Sequence, residues 1–217
     1  MLKLELPRRS DTPLRVLCLG AHSDDIEIGC GGTIRRLLEG KTPVHIEWVV
    51  FSGTPIRAGE ARKSARALSK GAHSFRIATK RFRDGFFPSQ MARIKEEFER
   101  LKRRPSPDLV FCPWRQDAHQ DHRLLGELTW NTFRDHLILE YEIPKYDGDM
   151  ASPNLYVPLD KKTCQTKVDH IRKAFRSQAD NQWFLDDTFW SLLRIRGIEC
   201  NAPSGYAEGF YARKVCL

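Results

Sequence analysis

The chain has 217 residues, 41% of them hydrophobic and 29% charged, a balance that excludes a disordered chain and suits one well-buried domain over residues 1–217. No run approaches the ~18 consecutive apolar residues of a membrane span, and Met1 to Arg9 lacks the apolar stretch of a signal peptide. The formal charge of +8 fits solvated basic helix faces better than a nucleic-acid surface, because no aromatic–basic interleaving accompanies it.

Leu14–Gly20 is a continuous apolar run after Pro13 and reads as a buried parallel strand. Gly31-Gly32-Thr33 then leads into a short helix over Ile34–Leu38, ended by Gly40. Val44–Ser52 is a second strand, Arg57–Lys70 a helix stopped by Gly71, and Ser74–Thr79 a third, shorter strand. Met91, Ile94, Phe98 and Leu101 fall at helical spacing ahead of Pro105. Asp108–Cys112 is a fourth strand and Asp121–Arg134 a helix. Leu137–Ile143 and Asn154–Leu159 are further strands. Asp160 caps a helix to about Ser177, and Asp186 another to about Arg196. Strand and helix alternate over the first 135 residues, the signature of a mostly parallel α/β sheet that takes ligands at the carboxyl ends of its strands.

Six cysteines (18, 30, 112, 164, 200 and 216) show no C-x-x-C pair. Three of them sit in or beside apolar runs, as reduced thiols do. That pattern fits a reducing, cytoplasmic compartment.

Two stretches stand just beyond strands. After the first comes Ala21-His22-Ser23-Asp24-Asp25, and after the fourth Asp117-Ala118-His119-Gln120-Asp121-His122. Imidazole and carboxylate are both good zinc donors, and a catalytic zinc takes about three protein ligands and water. Residues three apart in a tight turn project to one side, so His22 with Asp25 supplies two ligands and His122 the third. Asp24 is then free to act as general base on a metal-bound water. A protonated His119 is placed to stabilise an oxyanion and donate to a leaving nitrogen. Either Asp117 or Asp121 could orient that imidazole. His45, His73, His136 and His170 each stand alone and read as surface or hydrogen-bonded residues.

The stretch from Ala21 through Gly31-Gly32-Thr33 resembles the opening motif of the PIG-L/LmbE-like zinc deacetylases, Ala-His-Pro-Asp-Asp with a Gly-Cys-Gly-Gly-Thr tail. His119-Gln120-Asp121-His122 resembles their His-x-Asp-His motif, and Tyr206-Ala207-Glu208-Gly209-Phe210 is similar to their C-terminal Ala-Glu-x-Phe. The resemblance implies a Rossmann-like three-layer α/β sandwich. It implies Zn2+ on His22, Asp25 and His122, with Asp24 as base and His119 as acid or electrostatic group. It also implies removal of acetyl groups from N-acetylglucosamine units of larger molecules. Arg57 matches a substrate-contacting arginine, Asp84-Gly85 an Asp-Gly turn, and Glu208 a residue facing the sugar. The partner expected is an N-acetylated amino-sugar conjugate, phosphate- or nucleotide-linked in view of the positive charge, with a second copy of the chain as the other candidate.

The chain departs from the family pattern in places. Ser23 stands where proline is usual, and Ser52–Glu60 does not follow Thr-x-Gly-Glu. Leu139–Asp147 is rich in polar and aromatic groups; it reads either as a sugar-contacting segment through Tyr141 or as a plain strand-to-loop transition. Three rival functions fit the chain less well. A nucleoside-cofactor methyltransferase lacks an acidic residue at the end of strand two. An iron oxygenase built on the same ligands leaves Asp24 idle. A nucleic-acid binder rests on charge alone.

Overall fold

A computed structural model describes Lys3 and residues 12–215. Cys216 and the rest of Met1 to Arg9 lie outside the described residues. The chain runs β1 (Leu14–Gly20), α1 (Asp25–Leu38), β2 (Val44–Ser52), α2 (Pro55–Leu68), β3 (Ser74–Phe82), α3 (Met91–Lys102), β4 (Leu109–Pro113) and α4 (Gln120–Thr132). It continues through β5 (Leu137–Tyr141), β6 (Leu155–Pro158), α5 (Lys161–Ala174), α6 (Asp186–Glu199) and β7 (Ala207–Ala212).

The strands form one sheet of seven in the order β3-β2-β1-β4-β5-β7-β6. The first five are parallel, and β7 runs antiparallel between β5 and β6. Strand alternation decides which side chain meets which layer. Val16, Cys18, Ile46, Trp48 and Val50 enter a core shared with α1, α2, α5 and α6. Leu17, Leu19, Val49 and Phe51 enter a second core with α3 and α4. Helices on both faces of this mostly parallel sheet make it the three-layer α/β sandwich that the family resemblance implies. Succession along the chain moves outward from β1 to β3, then returns to β4 on the other side of β1. That reversal opens a crevice beyond the carboxyl ends of β1 and β4.

Several element boundaries differ from expectation, each for a physical reason. The first helix starts at Asp25, so Gly29, Gly31 and Gly32 lie inside it. Glycine costs helix stability locally, but packing requires it here: a Cβ on Gly29 would stand 2.2 Å from the Tyr141 ring, and one on Gly32 2.4 Å from Leu159. β3 runs on through Lys80 to Phe82; it is the sheet's edge, where polar side chains have solvent to face. Asp186 is the first residue of α6 rather than its cap, a position taken by Leu185 without a side-chain hydrogen bond. Asp160 does cap α5, accepting the Thr163 N–H at 2.7 Å. Met91 is exposed, while Ile94, Phe98 and Leu101 are buried.

Cysteines 18, 30, 112, 164 and 200 are unpaired and buried. Three of the lone histidines are hydrogen-bonded to serines: His45 to Ser74, His136 to Ser106 and His170 to Ser64. Among the described residues, no helix is long and apolar enough to cross a membrane.

Candidate active site

The first loop is shaped by its own acids. The His22 N–H donates to Asp25 Oδ2 at 2.8 Å, closing a tight turn, and Ser52 N–H bonds to Ala21 O at 2.8 Å, anchoring the loop to β2. Asp24 takes the N-cap position of α1 yet caps nothing. An aspartate there ordinarily accepts an amide of the first turn. Instead Oδ1 accepts from Arg57 at 2.8 Å, and Oδ2 is buried without a partner. Burial raises the Asp24 pKa and neighbouring Asp25 adds to this, while the Arg57 guanidinium works against both.

The second loop leads into α4 with His119 as N-cap. Its Nδ1 accepts the Asp121 N–H at 3.2 Å, so the ring's proton belongs on Nε2. Burial, then the charges of His122 and His22, lower the His119 pKa. That direction and the Nδ1 contact both favour an Nε2–H donor on the ring. Neither candidate carboxylate orients this ring. Asp117 Oδ2 meets His122 Nδ1 at 3.0 Å. Asp121 accepts the N–H groups of Gly85 at 2.7 Å and Phe87 at 3.0 Å, with Oδ2 3.4 Å from His22 Nε2.

The two loops, about a hundred residues apart in sequence, bring three donor atoms together. His22 Nδ1 lies 3.0 Å from His122 Nε2. Asp25 Oδ2 lies 3.6 Å from the first and 3.4 Å from the second. Donors that share one zinc at about 2.0–2.2 Å must themselves sit roughly 3.0–3.6 Å apart, so this triangle fits a divalent ion. The chemistry agrees: with His22 Nε2 and His122 Nδ1 turned to carboxylates, the two nitrogens facing at 3.0 Å are free to offer lone pairs to a shared cation or proton. Burial alone would lower the basicity of both rings, but the Asp25 charge and hydrogen bonds to carboxylates outweigh it. His22 is held well above the ordinary imidazole range and His122 at about 9. Burial would in turn raise Asp25, but His122 and His22 hold it well below the usual carboxylate range.

The structure adds residues to the site and removes others. Asp84 Oδ1 stands 3.0 Å from His22 Nε2, brought there by the turn at Gly85, whose φ of +76° suits glycine. The Asp-Gly pair was legible as a turn, not as a contact to His22. The Ser23 hydroxyl is buried and unpartnered, with Gly53 making room: a Cβ there would be 3.0 Å from Ser23 Oγ. Arg57 lies within the site, as Asp24's partner.

Tyr141 and Glu208, expected to face a sugar, do not. Tyr141 is fully buried, and its hydroxyl donates to Leu19 O at 2.7 Å. Glu208 is buried and accepts from Gly32 N at 2.8 Å, Thr33 N at 2.7 Å, Thr33 Oγ1 at 2.6 Å and Lys167 Nζ at 2.6 Å. Those four donors occupy both oxygens, so Glu208 pins β7 and α5 to the middle of α1. Inward-facing positions near the strand ends here belong to the core.

Comparison with solved structures shows where else this architecture occurs. The N,N'-diacetylchitobiose deacetylase of Pyrococcus horikoshii matches with a TM-score of 0.69 at 24% identity, covering 92% of this chain and 83% of that one. The zinc-inhibited form of the teicoplanin deacetylase Orf2 matches with a TM-score of 0.69 at 13% identity, covering 91% and 97%. GalB of Pseudomonas putida, a 4-carboxy-2-hydroxymuconate hydratase, matches with a TM-score of 0.67 at 17% identity, covering 94% and 98%. These likenesses carry the fold, which serves a hydratase as well as deacetylases. The sequence itself is more discriminating. Residues 17–133, holding both loops that build the triangle, match the family described as PIG-L: GlcNAc-PI de-N-acetylase, and the chain belongs to that family.

Proposed function

We propose that the protein is a zinc-dependent N-deacetylase that removes the acetyl group from an N-acetylated amino-sugar conjugate. The observation that carries this reading is the 3.0–3.6 Å triangle of His22 Nδ1, His122 Nε2 and Asp25 Oδ2, set beside a buried carboxylate oxygen of Asp24 without a hydrogen-bond partner among the described residues. His22, Asp25 and His122 would hold the zinc, which when bound polarises an amide carbonyl and acidifies water.

The remaining work falls to this chain's own side chains. Asp24 Oδ2 accepts the proton of the attacking water, while Arg57 fixes the other oxygen and so the direction of the lone pairs. The His119 Nε2–H donates a hydrogen bond to the developing oxyanion. The proton gathered at Asp24 passes to the departing amine, and acetate is the second product. Asp117 and Asp121 keep His122 and His22 in their tautomers and orientations. The methyltransferase reading leaves the three-atom meeting point without a task. The oxygenase reading leaves Asp24 idle.

The described residues act as one domain in this reading, since all seven strands share a sheet. Free, buried thiols suit the cytoplasm. The positive charge favours a phosphate- or nucleotide-linked substrate. Acetate release from a panel of N-acetylated sugars, glycolipids and sugar nucleotides by zinc-loaded protein tests the proposal. Turnover of at least one member is expected, and it should vanish together with metal content in His122→Ala. Full activity in metal-free protein would sink it.

A further inference from the structure

The loop after β5 holds a lysine that neither the family motifs nor the mechanism uses. Lys145 is largely buried, with 12% of its side chain exposed. Its ammonium makes four contacts: Asp117 Oδ2 at 3.0 Å, Asp149 Oδ1 at 2.6 Å, Asp149 Oδ2 at 2.7 Å and Ile143 O at 3.3 Å. Asp117 Oδ2 is also the atom that meets His122 Nδ1 at 3.0 Å. Asp149 Oδ2 also accepts the Ala118 N–H at 2.7 Å. One cation therefore ties the 143–149 segment to the 117–119 segment, which delivers both His119 and His122.

We propose that Lys145 is a positioning residue, a clamp that sets the His122 ring by holding Asp117 and Asp149 together across two loops. This inference rests on the reading of His122 as a metal ligand. The physical reason is local charge. Residues 114–119 contain no helix or strand, so side-chain bonds must hold their shape. Without the ammonium, two poorly solvated carboxylates would face each other, and like charges repel strongly away from water. The 143–149 segment would move off, the Ala118 bond would weaken, and Asp117 would be free to turn from His122 Nδ1. The ring would then swing its Nε2 away from His22 and Asp25. A lysine can do this because its long stem reaches between the loops and its three protons serve several acceptors at once.

The test is zinc affinity of metal-stripped protein, measured by competition with a chromophoric chelator, alongside steady-state kinetics. Outer-shell partners of metal ligands typically contribute about 10–100-fold in affinity or activity. Lys145→Met should weaken zinc binding by about tenfold or more and lower kcat with KM unchanged. Lys145→Arg, which keeps the charge and has donors enough to bridge both carboxylates, should restore affinity. The double variant Lys145→Met/Asp149→Asn should bind no worse than Lys145→Met alone, because removing one carboxylate relieves the repulsion; a residue that merely props the fold would show added loss instead. Wild-type affinity in Lys145→Met, or no recovery with arginine, overturns the clamp. If Lys145→Met does not fold, Asp149→Asn decides: unaltered zinc affinity there overturns it as well. A wild-type chain that takes up no zinc would instead refute the deacetylase reading and the clamp with it.

Discussion

Two buried acids lie against α1, and they are treated in opposite ways. At the helix's amino end, Asp24 is buried with one oxygen paired to Arg57 and the other unpartnered. Near its middle, Glu208 is equally buried, but backbone amides, a threonine hydroxyl and Lys167 engage both oxygens. Burying an ionised carboxylate is costly unless hydrogen bonds and a counter-charge replace the water it loses. Glu208 meets that condition and acts as structure. Asp24 does not, and its idle lone pairs are what a proton acceptor needs. Both residues belong to stretches that resemble family motifs. A motif position therefore does not reveal by itself whether it serves the reaction or the scaffold.

The sharpest way to break this comparison is to neutralise each acid in turn. Asp24→Asn should lower kcat by about 10²–10⁴-fold, the usual contribution of a positioned general base. Zinc content should persist, and the melting temperature should stay within about 4 °C of wild type, because one incompletely paired group contributes little to the fold. A near-normal rate in that variant would remove Asp24 as base. Glu208→Gln should do the reverse, costing about 3–5 kcal/mol in denaturant unfolding by leaving Lys167 buried without its counter-charge, with KM for substrate unchanged in whatever folds. A KM effect without loss of stability would return Glu208 to the substrate pocket.

A further expected effect is a pH dependence of metal uptake that separates the two regions further. His122 in metal-free protein is held at about 9, above its unfolded value near 6.5. A raised basic group contributes stability that is fully present below the unfolded pKa and is lost as pH rises through the folded one. Metal-free protein should therefore lose stability between roughly pH 6.5 and 9. Zinc must displace that proton, so its apparent affinity should climb about tenfold per pH unit over the same window and level off above it. Calorimetric titration at pH 6.5, 7.5 and 8.5 checks this. An affinity independent of pH would mean that zinc displaces no proton from His122 in this range.

Much of this was legible in the chain because it depends on local spacing. Apolar runs such as Leu14–Gly20 and Val44–Ser52 announce strands covered on both faces. The three-residue spacings His22–Asp25 and His119–His122 place side chains on one side of a turn wherever that turn sits. The start of α1 was not legible, because Gly29 and Gly32 read as helix breakers until Tyr141, Leu159 and Glu208 are seen pressed against them. Asp84 gave only a turn signal. Lys145 and Asp149 gave none, since a lysine followed by aspartates in a loop describes most protein surfaces.

Sequence alone thus determined the alternating α/β architecture and set His22, Asp24, Asp25 and His122 just beyond strand ends, since periodicity and short-range geometry survive in any fold that keeps the local backbone. Tertiary structure decided which polar groups are satisfied. It gave Tyr141 and Glu208 to the core, left Asp24 Oδ2 bare, and brought Lys145 between Asp117 and Asp149. The cost of a buried charge depends on neighbours from distant parts of the chain, and only folding selects them.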